Sequence, residues 1–202
     1  MSRRDNPYSK PDSRTLEARA RGFPARSVFK LEEIDKRVGL LAPGQRVLDL
    51  GAAPGSWSLY ASRRVGPGGR VLAIDLNPIE QAFPANVTVV QADALALDTE
   101  LLAQQGPFDV VLSDMAPATS GNKVRDQALS YELFERALQV ALAHGREGSS
   151  FVAKLFMSGD FPAARESLRR SYETERTIRP RGTRQESSEV FLVGLNKRGG
   201  RE

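Results

Sequence analysis

The feature that most constrains the fold is a regular alternation of short apolar runs with helical segments, which begins at Arg46. Such alternation is typical of right-handed crossovers and a mostly parallel sheet with helices on both faces. It predicts seven strands, at residues 46–50, 70–75, 87–91, 108–114, 149–156, 172–178 and 189–195. Helices are expected to begin near Ser56, Thr99, Asp126 and Phe161. Too few residues separate the last two strands for a helical crossover, so we expect antiparallel pairing there.

The length of 202 residues suits one domain with a substantial core. We expect a basic, flexible N-terminal arm at residues 1–20 and a single domain at residues 21–202. The apolar runs are shorter than the roughly 18 residues that a membrane span needs. The amino terminus is polar and lacks the apolar centre of a signal peptide. A cytoplasmic protein without membrane association is therefore expected.

Cysteine and histidine counts restrict the chemistry. The chain has no cysteine, which excludes a thiolate nucleophile and cysteine-based metal sites. Its one histidine, His144, precedes Gly145 at the expected end of a helix, where a cation is favourable. A histidine triad or a multi-histidine metal site is not expected. We predict no bound metal, and acid–base chemistry by lysine, aspartate, glutamate or tyrosine.

Positive charge is concentrated in two segments. Residues 1–30 contain eight lysines and arginines against three acids, whereas the whole chain has a net charge of only +4. Residues 176–184 contain four arginines and no acid. Basic segments with interleaved aromatic residues, here Tyr8, Phe23 and Phe29, are typical of proteins that bind nucleic acid. A solvated tail without a partner is the alternative interpretation.

A glycine-rich turn follows the first predicted strand, in the segment "VLDLGAAPGSWS". Gly51 and Gly55 permit a tight turn and a close approach of the backbone to a ligand. Ligands of doubly wound sheets bind at the carboxyl ends of the strands, where this turn lies. Ala53 replaces the second glycine of the dinucleotide fingerprint, which argues against a hydride-transferring dehydrogenase.

Aspartates end three further strands near the same edge. Asp75 is placed to accept hydrogen bonds from a ribose diol. Asp93 is placed to accept one from an adenine amine, and Asp114 ends the fourth strand. Three carboxylates disfavour a pyrophosphate and favour a cationic cofactor such as S-adenosylmethionine. Alternatively, each aspartate merely begins a turn or caps a helix.

Lys154 lies in an apolar strand, "SSFVAKLF", where an ammonium is costly unless it has partners. A lysine acts as a base only in its neutral form, which burial and a neighbouring cation favour and neighbouring carboxylates oppose. Lys30 lies beside the apolar stripe of an amphipathic helix, and Glu189 opens the last strand. Taken singly, Lys30 could be an ordinary lysine on an amphipathic helix, and Glu189 could simply open an edge strand.

Five segments resemble motifs of the FtsJ/RrmJ family of ribose 2′-O-methyltransferases, in the same order and from about residue 20 onward. They are "RSVFKLEEID", "VLDLGAAPGSWSLY", "LSDMAP", "FVAKLF" and "SSEVFLVG". The resemblance implies a Rossmann-like α/β fold that uses S-adenosylmethionine. It also implies a catalytic tetrad of Lys30, Asp114, Lys154 and Glu189. The implied cofactor contacts are Gly55, Trp57, Asp75, Asp93 and Asp114, and the glycine turn adds Gly51. Ser56 departs from the glycine usual in bacterial members, so the resemblance does not extend to the fine geometry of the cofactor loop.

The resemblance further implies methylation of a uridine in large-subunit (23S) ribosomal RNA within a ribosomal particle. We hypothesise that Lys154 is the general base, that Lys30 positions the hydroxyl, and that the two acids hold both amines. The basic N-terminal arm and residues 176–184 would hold the RNA backbone, and Phe23 or Phe29 could stack on a splayed base. A transfer-RNA 2′-O-methyltransferase and a non-catalytic RNA-binding assembly factor are the alternatives.

Overall fold

The computed structural model describes residues 12–181 and 188–199. The strands are β1 (Arg46–Leu50), β2 (Arg70–Asp75), β3 (Val87–Gln91), β4 (Phe108–Ser113), β5 (Gly145–Phe156), β6 (Tyr172–Ile178) and β7 (Glu189–Lys197). The α-helices are α1 (Ser13–Ala20), α2 (Val28–Val38), α3 (Ser56–Val65), α4 (Thr99–Gln105), α5 (Lys123–His144) and α6 (Phe161–Ser171). A short 3₁₀ helix, Ala94–Ala96, precedes α4. None of the helices in the described ranges is long and apolar enough to cross a membrane.

One seven-stranded sheet organises the domain, with the strand order β3-β2-β1-β4-β5-β7-β6. The first five strands pair in parallel. Strand β7 inserts between β5 and β6 and is antiparallel to both. The predicted mostly parallel α/β sheet and the antiparallel pairing of the last two strands are confirmed.

The element boundaries differ from the predicted ones at a few ends. Helix α5 begins three residues before Asp126, because the side chain of Asn122 accepts hydrogen bonds from the first-turn nitrogens of Val124 and Arg125. Strand β5 begins at Gly145 rather than at residue 149, because the chain passes directly from α5 into the strand. Local capping and this direct connection are not visible in the apolar pattern.

The sheet buries apolar side chains on both faces. On one face Phe108, Phe151 and Tyr172 pack with residues of α5 and α6. On the other face Val47 and Phe191 pack with residues of α2 and α3. The helices therefore cover both faces, and the edge at the carboxyl ends of the parallel strands remains available for a site.

The N-terminal segment is partly helical. Residues 1–11 lie outside the described part of the chain, and residues 13–20, which the charge pattern places in the arm, form α1. Asp12 caps this helix by accepting a hydrogen bond from the nitrogen of Thr15 at 2.8 Å, and Ala18 is fully buried. The division into a flexible arm and a domain stays a prediction.

Helix α2 is fixed by a buried carboxylate as well as by its apolar stripe. Asp35 is 3% exposed and accepts hydrogen bonds from the nitrogen of Leu41 (2.9 Å), the hydroxyl of Tyr60 (2.8 Å) and Nε of Arg64 (2.9 Å). Because Tyr60 and Arg64 belong to α3, the network ties the end of α2 to α3. Lys30 lies near the other end of α2, so its position depends on this attachment.

We expect Asp35→Ala to lower the free energy of unfolding by about 3 kcal/mol, because it leaves buried donors without an acceptor. Tyr60→Phe removes one donor and keeps the carboxylate, so its cost should be about 1–2 kcal/mol. Urea denaturation of both variants and the parent measures the difference. Equal, small losses for the two variants would show that Asp35 does not organise the network.

Candidate active site

A pocket of about 600 Å³ lies at the carboxyl ends of β1, β2 and β4. Four of the six predicted cofactor-binding residues line it, namely Gly51, Asp75, Asp93 and Asp114. The loop that follows β4 and the first turns of α5 form the opposite wall. Gly55 and Trp57 do not belong to the lining.

The turn at Gly51 requires glycine for two reasons. Its φ is +76°, and a Cβ added there would lie 2.6 Å from Cγ and 2.9 Å from the nitrogen of Met115. The nitrogens of Gly51 and Ala52 donate to the carbonyl of Ile74, at 2.9 and 3.1 Å. The turn is thus held against β2 on one side and against the loop after β4 on the other.

Asp75 connects this turn to the end of β2. One carboxylate oxygen accepts from the nitrogen of Ala53 at 2.9 Å, and the other accepts from the nitrogen and Nδ2 of Asn77 at 2.8 and 3.1 Å. Asp93 accepts from the nitrogen of Leu95 at 2.8 Å and thereby caps the 3₁₀ helix. Each carboxylate oxygen has more than one lone pair, so both groups remain able to accept from a ligand.

Two leucines in the lining are unusually exposed. Leu76 is 64% exposed and Leu95 is 55% exposed. Both lie within two residues of a pocket aspartate, so apolar surface lies beside hydrogen-bond acceptors. An apolar ring with a polar edge and a diol, such as the adenosine part of S-adenosylmethionine, fits this lining. Neither leucine belongs to the predicted site, although their positions just after the aspartates could have indicated them.

Lys154 and Asp114 form the first half of the predicted tetrad. The Nζ atom of Lys154 lies 3.0 Å from Oδ1 and 2.6 Å from the main-chain oxygen of Asp114. The two side chains are 7% and 18% exposed. Lys154 is therefore buried with hydrogen-bond partners, and it contacts the pocket through Asp114, which lines it.

Lys30 and Glu189 form the second half. Nζ of Lys30 lies 2.6 Å from Oε1 of Glu189, and the two side chains are 18% and 10% exposed. The ammonium also lies 5.8 Å from the centroid of the Phe191 ring, a cation–π contact. The face of the Phe191 ring thus packs against the ammonium of Lys30.

Strand register brings the two halves together. In the antiparallel pair of β5 and β7, Lys154 is opposite Phe191 and Phe156 is opposite Glu189. Residues directly opposite one another project from the same face, so Lys154 and Glu189 are diagonal neighbours. All four predicted tetrad residues therefore converge at one edge of the sheet.

Trp57 is buried in the core and does not line the pocket. Its side chain is 2% exposed, its Nε1 donates to the carbonyl of Ser27 at 2.9 Å, and its ring lies 5.6 Å from that of Phe191. A cofactor contact from Trp57 would therefore use its main chain, at the start of α3. The Trp57 ring packs against Phe191, which in turn contacts Lys30 of the predicted tetrad. The sequence pattern does not indicate this packing role.

Asp49 is a buried carboxyl group behind the glycine turn. It is fully buried, and its Oδ2 accepts from the hydroxyl of Ser58 at 2.5 Å. Burial raises its pKa to about 7, and the negative charges of Asp114 and Asp75 add to that rise. The pocket thus has a carboxyl group beneath it that changes charge near neutral pH.

Fold and site together define a Rossmann-like protein with a pocket at the carboxyl ends of its parallel strands and two largely buried lysine–carboxylate pairs. The family model described as FtsJ-like methyltransferase matches residues 23–197. The chain belongs to this family and is a methyltransferase, which confirms the resemblance found in the sequence.

Individual relatives agree with the family match. A protein of Sorangium cellulosum named ribosomal RNA large subunit methyltransferase E is 64% identical, over 96% of this chain and 91% of its own. A protein of the same name from Oleidesulfovibrio alaskensis is 50% identical, over 91% and 90%. A crystal structure of a Plasmodium falciparum protein named as a ribosomal RNA methyltransferase has a TM-score of 0.76 at 24% identity, covering 87% of this chain and 99% of that one. This last likeness supports the fold.

We expect Asp49→Asn to change how stability depends on pH. The folded protein keeps the Asp49 proton up to about pH 7, whereas the unfolded chain loses it near the ordinary value of 3.8. The folded state therefore binds more protons in this window, and this contribution to stability is lost progressively as the pH rises to about 7. An asparagine side chain at this position keeps a hydrogen bond to Ser58 and cannot ionise.

The measurement is denaturant unfolding of the parent and Asp49→Asn between pH 4 and pH 8. The parent should lose stability relative to the variant as the pH rises. Since one pKa unit corresponds to about 1.4 kcal/mol, the relative loss should be at most about 4 kcal/mol. A difference that does not depend on pH would show that Asp49 keeps one protonation state across this range.

Proposed function

We propose that the protein transfers a methyl group from S-adenosylmethionine to the 2′-hydroxyl of a uridine ribose in large-subunit (23S) ribosomal RNA. The observation that carries the proposal is the buried Nζ of Lys154, held 3.0 Å from the side chain of Asp114, which lines the pocket. A lysine in that place needs a chemical reason, because a buried ion pair is rarely favoured for stability alone.

Different residues of the pocket would bind different parts of S-adenosylmethionine. Asp75 would accept from the ribose diol and Asp93 from the adenine amine, with Leu76 and Leu95 against the ring. The glycine turn and the start of α3 would contact the methionine part. When bound, S-adenosylmethionine supplies an electrophilic methyl group on a sulfonium. The carboxylates stabilise that positive charge.

Lys154 would act on the acceptor hydroxyl. A ribose hydroxyl is a weak nucleophile, so removal of its proton during attack accelerates methyl transfer. Lys154 must first lose the proton that it holds in the ion pair with Asp114, and its amine would then take the proton of the hydroxyl. The carboxylate of Asp114, 3.0 Å away, would offset the positive charge that the amine regains. Asp114 also lines the cofactor pocket, so one side chain orients the base toward the methyl donor.

Lys30 and Glu189 would position the acceptor. The ammonium of Lys30 is held by Glu189 and by the ring of Phe191, and it can donate a further hydrogen bond to the acceptor oxygen. Correct orientation of a nucleophile toward its electrophile contributes much of the acceleration in such reactions. We therefore assign Lys30 to positioning and Lys154 to proton transfer.

The substrate proposal rests on the relatives and on charge. Relatives that are 64% and 50% identical are named for the large ribosomal subunit, which favours ribosomal over transfer RNA. A non-catalytic assembly factor would have no chemical reason to keep all four tetrad residues paired. The basic N-terminal arm and the segment from Arg176 to Arg184 would contact the RNA backbone, although residues 1–11 and 182–187 lie outside the described part of the chain.

We expect Lys154→Ala to reduce methyl transfer by at least about 1,000-fold, because it removes the base and leaves Asp114 without its partner. Binding of S-adenosylmethionine, measured by calorimetry, should change little. Lys197→Ala is the matched control, since Lys197 is also a strand lysine that donates to carbonyls, at the opposite end of β7. Turnover of Lys154→Ala near that of Lys197→Ala would refute the assignment.

The substrate proposal predicts a single missing modification in cells. In a strain that lacks the gene, one uridine of large-subunit ribosomal RNA should lose its ribose methylation, and transfer RNA should be unchanged. Mapping of ribose methylation across all stable RNAs measures this directly. The parental gene should restore the mark and the Lys154→Ala gene should not. A lost mark in transfer RNA would instead support the alternative substrate.

A further inference from the structure

A second groove, of about 450 Å³, lies along the outer face of α2. Phe29, Glu33 and Arg37 line it from α2, Arg14 lines it from α1, and Arg181 lines it after the end of β6. Phe29 directly precedes Lys30, so the groove lies on the helix that carries the proposed positioning lysine. Strand β6 runs parallel to β5, which places Arg181 at the same edge of the sheet as Lys154.

The acidic residues of α2 in this groove are neutralised from within the protein. Glu32 pairs with Arg21 and Lys36, both at 2.9 Å. Glu33 pairs with Arg37 and accepts from the main-chain nitrogen of Arg181 at 2.8 Å. The carboxylates that α2 contributes to the groove are therefore paired within the protein, and Glu17 of α1 is a further, exposed carboxylate in the lining.

Two guanidinium groups in the groove are available to a ligand. Arg14 and Arg181 are exposed, and neither guanidinium forms an ion pair with another residue in ranges 12–181 and 188–199. They come from different parts of the fold, α1 and the segment after β6, and both line the groove together with Phe29. This arrangement suits an extended polyanion that passes over an aromatic ring.

Phe29 can offer a stacking surface, whereas Phe23 cannot. Phe23 is 3% exposed and lies under the guanidinium groups of Arg21 and Arg63, at 5.6 and 4.4 Å. Phe29 is half-buried, packs its inner side against the core, and lines the groove. The guanidinium of Arg21 lies 5.3 Å from the Phe29 centroid, so a base that stacks on this ring must share it with Arg21 or displace that side chain. Phe29 is still the more accessible of the two rings, because Phe23 is buried.

We propose that this groove binds the single-stranded RNA nucleotide next to the methylated one. Its base stacks on Phe29, and Arg14 and Arg181 contact the flanking phosphates. The proposal rests on the proposed function, because it takes the acceptor ribose to lie at Lys30 and Lys154. Stacking on an aromatic ring together with backbone phosphate contacts is the way that proteins hold single strands.

The test uses the full-length protein and large ribosomal subunits from a strain that lacks the gene, together with the deproteinised RNA of those subunits. Phe29→Leu keeps an apolar side chain of similar size and removes the stacking ring. We expect it to raise KM for RNA about 10-fold, with kcat within about twofold and unchanged binding of S-adenosylmethionine. Phe29→Tyr keeps an aromatic ring at this position, so its KM for RNA should equal that of the parent.

The double change Arg14→Ala with Arg181→Ala tests the phosphate contacts. The slope of log affinity for the deproteinised RNA against log salt concentration should become less steep by about 1.4, since each lost single-strand phosphate contact contributes about 0.7. Arg70→Ala is the matched control, because Arg70 is an exposed arginine at the opposite edge of the sheet. Its slope should equal that of the parent.

The outcomes separate this inference from the proposed function. Absence of methyl transfer by the parent to any of these RNAs would refute the proposed function itself. Parental methylation with unchanged KM and salt slope in the groove variants would refute the groove assignment alone. Variants that bind deproteinised RNA normally but methylate intact subunits poorly would show that the groove contacts a ribosomal protein, which also overturns the RNA assignment.

Discussion

The register between β4 and β5 is the constraint on which the site depends. Ser113 is paired with Ala153, so the next residues, Asp114 and Lys154, are adjacent on the same face. A slip by one residue would turn Lys154 into the apolar core on the other face, away from Asp114. A buried ion pair adds little net stability compared with apolar residues, which is the basis for proposing a catalytic role for Lys154.

A second constraint is the layer of rings between α2, α3 and the sheet. Trp57 of α3 lies against Phe191 of β7, and Phe191 lies under Lys30 of α2. Trp57 also donates to the carbonyl of Ser27, directly before α2 begins. Helix α3, which follows the glycine turn, therefore supports Lys30, the residue proposed to position the acceptor hydroxyl. A displacement of α3 would disturb both halves of the site together.

Much of this could be predicted from the sequence, because strand and helix patterns are local. The seven strands and the residue types of the tetrad required only periodicity and motif resemblance. The pairing of Lys154 with Asp114 and of Lys30 with Glu189 could not be predicted, since it depends on register and on how α2 docks. Helix α1 is not evident in the sequence because it buries only Ala18 and so has no apolar stripe to reveal it.

The pocket and the groove differ in charge. Four carboxylates line the pocket, those of Asp75, Asp93, Asp114 and Glu132, against one arginine, whereas in the groove basic side chains outnumber carboxylates by four to three. With the proposed substrates, a sulfonium would be attracted to the pocket and a phosphate chain to the groove. Transfer of the methyl group would remove the positive charge that the pocket carboxylates hold. The charges that favour binding of the donor would therefore also favour release of the demethylated product.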